Sequence, residues 1–597
     1  MGSGLVGPHR THFGNDNDNG LGLGSRLSIF RCSGFGVGGD DGVMTHRVMI
    51  VGASAAGLRC AARLRRLQPD WRITVLEKLT TYSLAACGFG YVLSGDIDAL
   101  DELRSTAWGA VRDRRFFEDV KGVEILEGHH VLSIDAKART LDAEGPDGVV
   151  CLGWDELVLA TGASPISLPG QPVHARIRSF HVHQDVTSLK KGLIDGDIEH
   201  VAVIGGGLVG VELAEAFRSM WGAEVTLVEA AGHPLPKVLD EEAGAVVRSV
   251  LDSEGVAVRC GAAMERIEAD DAGITVFCGA GDPIRADMAV VAVGVKPNVE
   301  LAESAGVALG KTGAIAVDGR LATSVPHIWA AGDCIEVRHV VSGEPVHCPL
   351  GSLANRQGRV LAGVLAGREE RFIDVAGAVA VKVFDLTVAA AGCSLVEAQR
   401  LGFHAQAIWM TTDDRAHYWP ESEDIHIQLV FERETLCLLG VQAVGRGRVV
   451  EVVDVAAQLL LQGVSVERLE GIEHCYAPPF APALAPLAVA AYVARNHVEG
   501  VHCASPMAAV DGRRILDVRL AAEQEARPWR WGESLHIPVE ELRSRMAELD
   551  HLATWLVVCE RGTRSAEAVR WLCRENLDAH YLGGGMIWRY KTLGDTE

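Results

Sequence analysis

No two of the 14 cysteines stand three residues apart, so the chain has no Cys-x-x-Cys pair. Zinc ribbons and thioredoxin-type dithiols lose their signature with it. Scattered cysteines in a chain of 597 residues read as the reduced thiols of a cytoplasmic protein. Long apolar runs are missing as well. The longest uncharged apolar stretch, Ala477 to Ala494, holds Pro478, Pro479, Pro482 and Pro486, a density of breakers that a spanning helix would not tolerate. No membrane partner is expected. Basic residues are scarce: 56 Lys and Arg against 79 Asp and Glu give a formal net charge of −23. That disfavours a nucleic-acid partner and leaves room only for a local basic site. The 22 histidines do not cluster with acids or cysteines, so no metal is expected. What remains is an ordinary globular composition, long enough for about three to five domains.

Residues 1–43 hold 12 glycines and an Asn/Asp run, without sustained periodicity or the layout of a secretory signal. They read as a disordered extension before a start at Met44. From Arg47 the pattern changes. The strand Arg47–Val51 runs into Gly52-Ala-Ser-Ala-Ala-Gly57, a helix to Leu67, and a second strand, Arg72–Leu76, ending at Glu77, 20 residues after Gly57. Strand, glycine turn, helix, strand and acid at this spacing make a dinucleotide site. The first glycine permits a tight turn, the third lets helix and strand approach, the helix N-terminus meets a pyrophosphate, and the acid accepts from a ribose hydroxyl. Ser54 takes the place of the middle glycine. The second copy is more regular. His200–Ile204 leads into Gly205-Gly-Gly207-Leu208-Val209-Gly210, a helix and the strand Glu224–Val228, with Glu229 following 19 residues after Gly210. An acid there, followed by Ala230 and Ala231, favours NADH over NADPH, whose 2′-phosphate it would repel.

Two further motifs, Leu159-Ala-Thr161-Gly162-Ala-Ser-Pro165 and Thr323-Ser-Val-Pro-His-Ile-Trp-Ala-Ala-Gly332-Asp333, complete a set over about 300 residues. Together the four resemble the pyridine nucleotide–disulfide oxidoreductase family. The resemblance implies an α/β fold with two dinucleotide-binding three-layer domains. FAD would lie on Gly52, Ser54, Ala55, Ala56, Gly57, Glu77, Lys78, Val131, Thr161, Gly162, Gly332, Asp333 and Ala354. NADH would lie on Gly205, Gly207, Leu208, Val209, Gly210, Glu229 and Gly294. The expected domains are an FAD unit (44–165 and 291–372) interrupted by an NADH unit (166–290), then an α+β dimerisation unit (373–495).

Members that reduce glutathione carry a Cys-x4-Cys pair. Here Tyr82 and Val92 flank Cys87 at that spacing, so Cys87 must act as a single redox cysteine, through a sulfenic acid, mixed disulfide or persulfide. Ser83 and Cys87-Gly resemble the coenzyme A–disulfide reductase and NADH oxidase/peroxidase branch, although Ala86 stands where that branch usually carries Asn. By position Arg59, Arg63, Arg66, Ser83 and Asn355 would hold coenzyme A, guanidinium forks suiting phosphate. The alternative for the arginines is a solvated helix face. Lys382-Val-Phe-Asp-Leu386 and Tyr476-Ala-Pro-Pro-Phe480 resemble the dimerisation domain of a homodimer. Tyr476, and Tyr418 beside it in this reading, would donate protons in the other subunit's site.

Beyond Val501 the order is strand Arg514–Val518 containing Asp517, then Leu535–Pro538, a helix from Val539, strand Trp555–Val558, Cys559-Glu-Arg-Gly-Thr-Arg564-Ser565 and an amphipathic helix. With the closing Leu582-Gly-Gly-Gly and Trp588, this resembles a C-terminal α/β rhodanese domain (501–597). A cysteine between strand and helix sits among backbone N–H groups, with Arg561 and Arg564 near, which suits a thiolate or persulfide. Trp529-Arg-Trp-Gly532 replaces the usual lead-in. The reading is a flavoprotein that reduces coenzyme A persulfide, polysulfide or disulfide with NADH through Cys87, while Cys559 carries sulfane sulfur. The rivals are an NADH oxidase/peroxidase through a Cys87 sulfenic acid, and a sulfurtransferase with a redox-sensing flavoprotein part.

Overall fold

The computed structural model describes residues 45–279 and 281–593; the expected extension 1–43 lies outside them. Arg47–Val51 forms a strand whose last four residues are all buried, the mark of a parallel strand covered on both faces. The glycine turn reverses the chain into the helix Ala55–Leu67, and Arg72–Glu77 returns parallel to the first strand. The five-stranded sheet is finished out of sequence. Its order is Ile328–Ala330, Glu156–Leu159, Arg47–Val51, Arg72–Glu77, Glu124–Glu127, so one edge comes from beyond an inserted unit.

The inserted unit repeats the plan. Its sheet runs Val256–Arg259, Glu224–Val228, His200–Ile204, Met288–Val291, Ile177–Ser179, with the helix Leu208–Trp221 after the glycine turn. The chain enters this unit through Ala163–Pro165 and leaves through Val295–Pro297, and these two short strands pair antiparallel. Both crossings therefore lie side by side.

The third unit is a five-stranded antiparallel sheet in the order Val379–Val383, Leu386–Gly392, Leu438–Gly445, Asp424–Glu432, Ala405–Asp413. Its central strands are buried almost throughout, under the helices Val449–Leu460 and Pro486–Val498. The last helix continues three residues past the expected boundary at 495 and starts on Pro486, whose missing N–H costs nothing at a helix N-terminus.

The C-terminal unit is a parallel sheet in the order Cys503–Ala504, Asp578–Leu582, Thr554–Val558, Arg514–Asp517, Ser534–His536. The amphipathic helix Thr563–Arg574 is present. The helix expected from Val539 is not; two single turns, Leu542–Ser544 and Met546–Glu548, take its place. Only Leu542 and Leu549 are fully buried there, too few to anchor a continuous apolar face. Among the described residues no helix is long and apolar enough to cross a membrane.

Candidate functional site

The two glycine turns are built alike. Gly52 has φ +111°, and a Cβ on it would lie 2.1 Å from the Ala160 carbonyl oxygen. In the second turn Gly205 has φ +109°, with a Cβ 2.5 Å from the Ala292 oxygen. The third glycines, Gly57 and Gly210, press on the carbonyls of Gly52 and Gly205, where a Cβ would come within 2.0 and 1.8 Å. The middle position is different. Gly207 has nothing within 4 Å of its Cβ site. Ser54 is exposed and extended, at φ −109° and ψ −156°. A side chain costs little there, which is why serine replaces glycine.

Each acid ties its turn to its strand. Glu77 accepts from Ala53 N at 2.8 Å and Leu79 N at 3.0 Å; Glu229 accepts from Gly206 N at 2.7 Å and Ala231 N at 2.8 Å. The remaining lone pairs suit ribose hydroxyls. Lys78 is exposed beside Glu77, and Val131 is buried two residues after His129, which donates its backbone N–H to the Glu77 carbonyl. Leu208 and Val209 open the second helix, with Val209 exposed at its start. Gly294, φ +112°, lies just before the return strand.

Gly332 (φ +90°) packs on Ala56, and its N–H donates to Gln357 at 2.7 Å. Ala55–Leu67 and Gly351–Leu365, the helix of Ala354 and Gln357, meet closely: a Cβ at Gly358 would lie 2.3 Å from the Ala56 oxygen. Burial pushes the Asp333 carboxyl up, opposed by His347 and His181. His347 also contacts the Asp333 carbonyl at 2.7 Å. Thr161 donates to Asn298 O at 2.7 Å and Asn298 Nδ2 donates back to Thr161 O at 2.8 Å, joining the two crossings. Gln357, His347 and Asn298 were not legible in the sequence, since each acts across a long loop. Two rigid cradles that exclude a Cβ, each with an acid and an open mid-turn, fit FAD and a pyridine nucleotide.

Cys87 lies exposed in the turn Ala86–Gly88, just before the helix Phe89–Leu93. Ser83, φ +61°, donates its N–H to the Ala53 carbonyl, which brings this segment against the first glycine turn. The short helix also meets the nucleotide-fold helix Leu208–Trp221: a Cβ on Gly90 would be 3.7 Å from Glu212 Cβ. Burial and Glu215 push the Glu212 carboxyl up to about 7. Tyr91 is pushed up by burial, then by Glu212, Glu215 and Cys87. Glu212 was missed, although a carboxylate inside the apolar run Leu208-Val-Gly-Val-Glu-Leu213 was a signal available in the sequence. Several other thiols behave as buried hydrophobes, whereas Cys151 and Cys475 are exposed. Burial raises Cys60 to about 12 and Cys348, Cys393 and Cys503 to about 11. Among the described residues no metal-ligand cluster occurs.

The expected coenzyme A arginines divide. Arg59 and Arg66 are exposed, as is Asn355, which donates to Gly351 O at 2.8 Å. Arg63 corrects the expectation. Its buried guanidinium forks onto Glu370 at 2.6 and 2.5 Å and also donates to the Arg359 carbonyl, so it ties the two packed helices together instead of standing free for a phosphate. Tyr418 and Tyr476 are both exposed, at 63% and 50%. They hydrogen-bond to each other, and that bond, ahead of slight desolvation, raises the Tyr418 phenol.

Cys559 is fully buried between its strand and helix. Its Sγ accepts from Gly562 N at 3.1 Å and Ser565 N at 3.3 Å, and lies 3.3 Å from Ser565 Oγ. Gly562, φ +99°, makes the nest possible. Arg564 stays within electrostatic reach of Cys559, as expected, whereas Arg561 departs from the expectation. Arg564 forks onto Glu523 at 2.7 and 2.5 Å, and Arg561 leaves the loop to meet Asp413 at 2.9 Å and Asp424 at 2.6 Å on the antiparallel sheet. One carboxylate for Arg564 and two for Arg561 take the guanidinium forks, because a charged carboxylate is a stronger acceptor than a thiol.

Two nucleotide folds, one set into the other and facing a lone thiol, define a flavin-dependent pyridine-nucleotide oxidoreductase. A family model described as pyridine nucleotide-disulphide oxidoreductase matches residues 46–354, and the dimerisation-domain model of that family matches 378–488. The chain belongs to the pyridine nucleotide-disulphide oxidoreductase family, whose members depend on FAD and NAD(P)H. It is 32% identical over 451 residues to an NAD(P)H coenzyme A polysulfide/persulfide reductase of Pyrococcus horikoshii, covering 75% of this chain and 98% of that one. It is 26% identical to a coenzyme A disulfide reductase of Staphylococcus haemolyticus, over 73% of this chain and 96% of that protein. The solved NAD-dependent persulfide reductase from A. fulgidus superposes with a TM-score of 0.88 at 34% identity, covering 91% of this chain and 99% of that one. That span takes in much of the C-terminal unit, beyond both family models.

Proposed function

We propose that the chain is an NADH-dependent reductase of coenzyme A persulfide and polysulfide that also reduces coenzyme A disulfide, acting as a homodimer. The observation that carries the reading is Cys87, an exposed thiol with no second cysteine at the Cys-x4-Cys spacing, on a turn between the two nucleotide folds. The names of the similar proteins support the substrate class. FAD, when bound, supplies the relay of two electrons from NADH to sulfur. Glu229 accepts from the adenosine ribose and repels a 2′-phosphate, which favours NADH. Arg59, Arg66 and Ser83 hold the coenzyme A end.

The Cys87 thiolate attacks the inner sulfur of coenzyme A persulfide. A Cys87–coenzyme A disulfide forms, the S–S bond of the substrate breaks, and hydrosulfide leaves with the electron pair. Two electrons from NADH then restore the Cys87 thiolate and free the coenzyme A thiol. Tyr476 and Tyr418, reaching across the dimer, supply the proton. The C-terminal unit is read as a rhodanese, with Cys559 carrying sulfane sulfur in its N–H nest.

The test is anaerobic NADH oxidation by the flavin-loaded protein with coenzyme A persulfide, coenzyme A disulfide or peroxide. Persulfide turnover that falls at least about a thousandfold in Cys87→Ser is expected, since the nucleophile is removed. Turnover of peroxide alone would replace this reading with the oxidase/peroxidase one.

A further inference from the structure

A sulfur donor must reach Cys559, and the charges around that thiol restrict what it can be. The strand-loop segments 517–527 and 559–565 contain four arginines: Arg519, Arg527, Arg561 and Arg564. Each one is already paired. Arg519, wholly buried, meets Asp517 at 2.8 Å. Arg527 pairs with Glu560, the residue next to Cys559. Arg564 is forked by Glu523 at 2.7 and 2.5 Å. Arg561 is drawn away by Asp413 and Asp424, which lie on another unit of the fold, at 2.9 and 2.6 Å. Five carboxylates hold these four guanidiniums, so none of the four presents a free fork beside Cys559.

From this pairing we infer that Cys559 takes its sulfur from a low-molecular-weight persulfide and discriminates against thiosulfate, with Asp413 and Asp424 as the residues that set the selectivity. The inference rests on the rhodanese reading of the C-terminal unit. Both donors would transfer a neutral sulfur atom without net oxidation. With a persulfide, the Cys559 thiolate attacks the terminal sulfur of R–S–SH; a Cys559–S–SH bond forms, the donor S–S bond breaks, and R–S⁻ leaves with the electron pair. With thiosulfate the same attack gives Cys559–S–S⁻ and expels sulfite, a dianion. A dianion entering and leaving here finds each of these four guanidiniums already held by a carboxylate, and an N–H nest already used by Sγ. A thiolate leaving group carries one charge and can take a proton from water. Each charge-assisted hydrogen bond an anion forgoes costs about tenfold. Two missing guanidinium contacts therefore disfavour thiosulfate by about a hundredfold.

The test uses the full-length, flavin-loaded protein. Reduced protein is incubated with equal concentrations of glutathione persulfide or sodium thiosulfate, quenched by alkylation, and the Cys559 peptide is weighed by mass spectrometry, with Cys559→Ser as the blank. The wild type should load from the persulfide about a hundredfold faster than from thiosulfate. Asp413→Asn/Asp424→Asn, which frees Arg561, should raise thiosulfate loading about tenfold and leave persulfide loading within about twofold. Glu523→Gln, which frees Arg564, should move it in the same direction and serves if the double variant does not fold. Wild-type rates within about tenfold of each other, no loading from either donor, or an unchanged ratio in both soluble variants would overturn the inference. NADH oxidation with coenzyme A persulfide is followed on the same samples. Its absence alongside selective Cys559 loading would sink the reductase reading and leave the donor assignment standing.

Discussion

At Gly52 the backbone sits at φ +111° with a carbonyl oxygen 2.1 Å from where a Cβ would be, so two independent penalties fall on any substitution. The left-handed conformation alone costs about 1–3 kcal/mol for another residue, and the overlap can be relieved only by moving the end of the interior strand that leads into Ala160. Gly52→Ala is expected to purify with less than about a tenth of the wild-type flavin. The ratio of flavin to protein absorbance checks it, and full flavin content would mean the turn is softer than its packing indicates. Ser54, two residues on, shows the contrasting case: an exposed, extended position that accepts a side chain. The fingerprint was readable because such rules are local. The fate of each arginine was not. Arg63 meets Glu370 across 307 residues and Arg561 meets Asp413 across 148, and nothing in the helix or loop around them announces the partner.

Between elements, the joint from the dimerisation unit to the C-terminal unit is short and carries histidines. His497, on the helix Pro486–Val498, accepts from Cys503 N at 3.0 Å, and its ring meets His502 edge to face, while His502 lies tilted against His580. Burial, then His502, His580 and Arg433, bring His497 down to about 4; His580 is lowered by burial and His502 against the pull of Asp578. The fold thus holds a neutral ring, while the unfolded chain takes up a proton near the ordinary value of 6.5. The stabilisation is complete above pH 6.5 and is lost as pH falls toward about 4. His497→Asn, which keeps an acceptor, should melt with a shallower acid limb than the wild type across that window. Equal slopes by calorimetry would show that His497 does not drive the acid loss. The sequence named the strands Arg514–Val518 and Trp555–Val558 beyond this joint, because their apolar runs are continuous, but no strand before it. It missed the single turns at Leu542 and Met546, because helical spacing there was not backed by enough buried side chains.

Across the whole molecule, the nucleotide folds are held to the antiparallel sheet by a buried carboxylate. Asp240, 4% exposed, accepts from Leu395 N, Val396 N, Gln428 Nε2 and Gln442 Nε2 at 2.7–3.2 Å. Asp240→Ala leaves four donors without their acceptor and should cost about 3 kcal/mol. The urea midpoint of the first unfolding transition reads it, and a change below about 1 kcal/mol would mean that water or a shifted side chain fills the gap. The order of the two nucleotide folds and the dimerisation unit was legible from motif order, whereas these contacts between units were not, because each joins residues more than a hundred apart.

The interleaved order of the first sheet also bears on how the protein is made. His327, beside the last edge strand, pairs with Glu156 from 171 residues earlier in the chain. At synthesis rates of about 5–20 residues per second, the nascent first half waits roughly 10–30 s for that strand. Through that interval Glu156–Leu159 presents a bare apolar edge, while the inserted unit, whose five strands all lie between Ile177 and Val291, can already close on itself. The second nucleotide fold is therefore the first to mature on the ribosome.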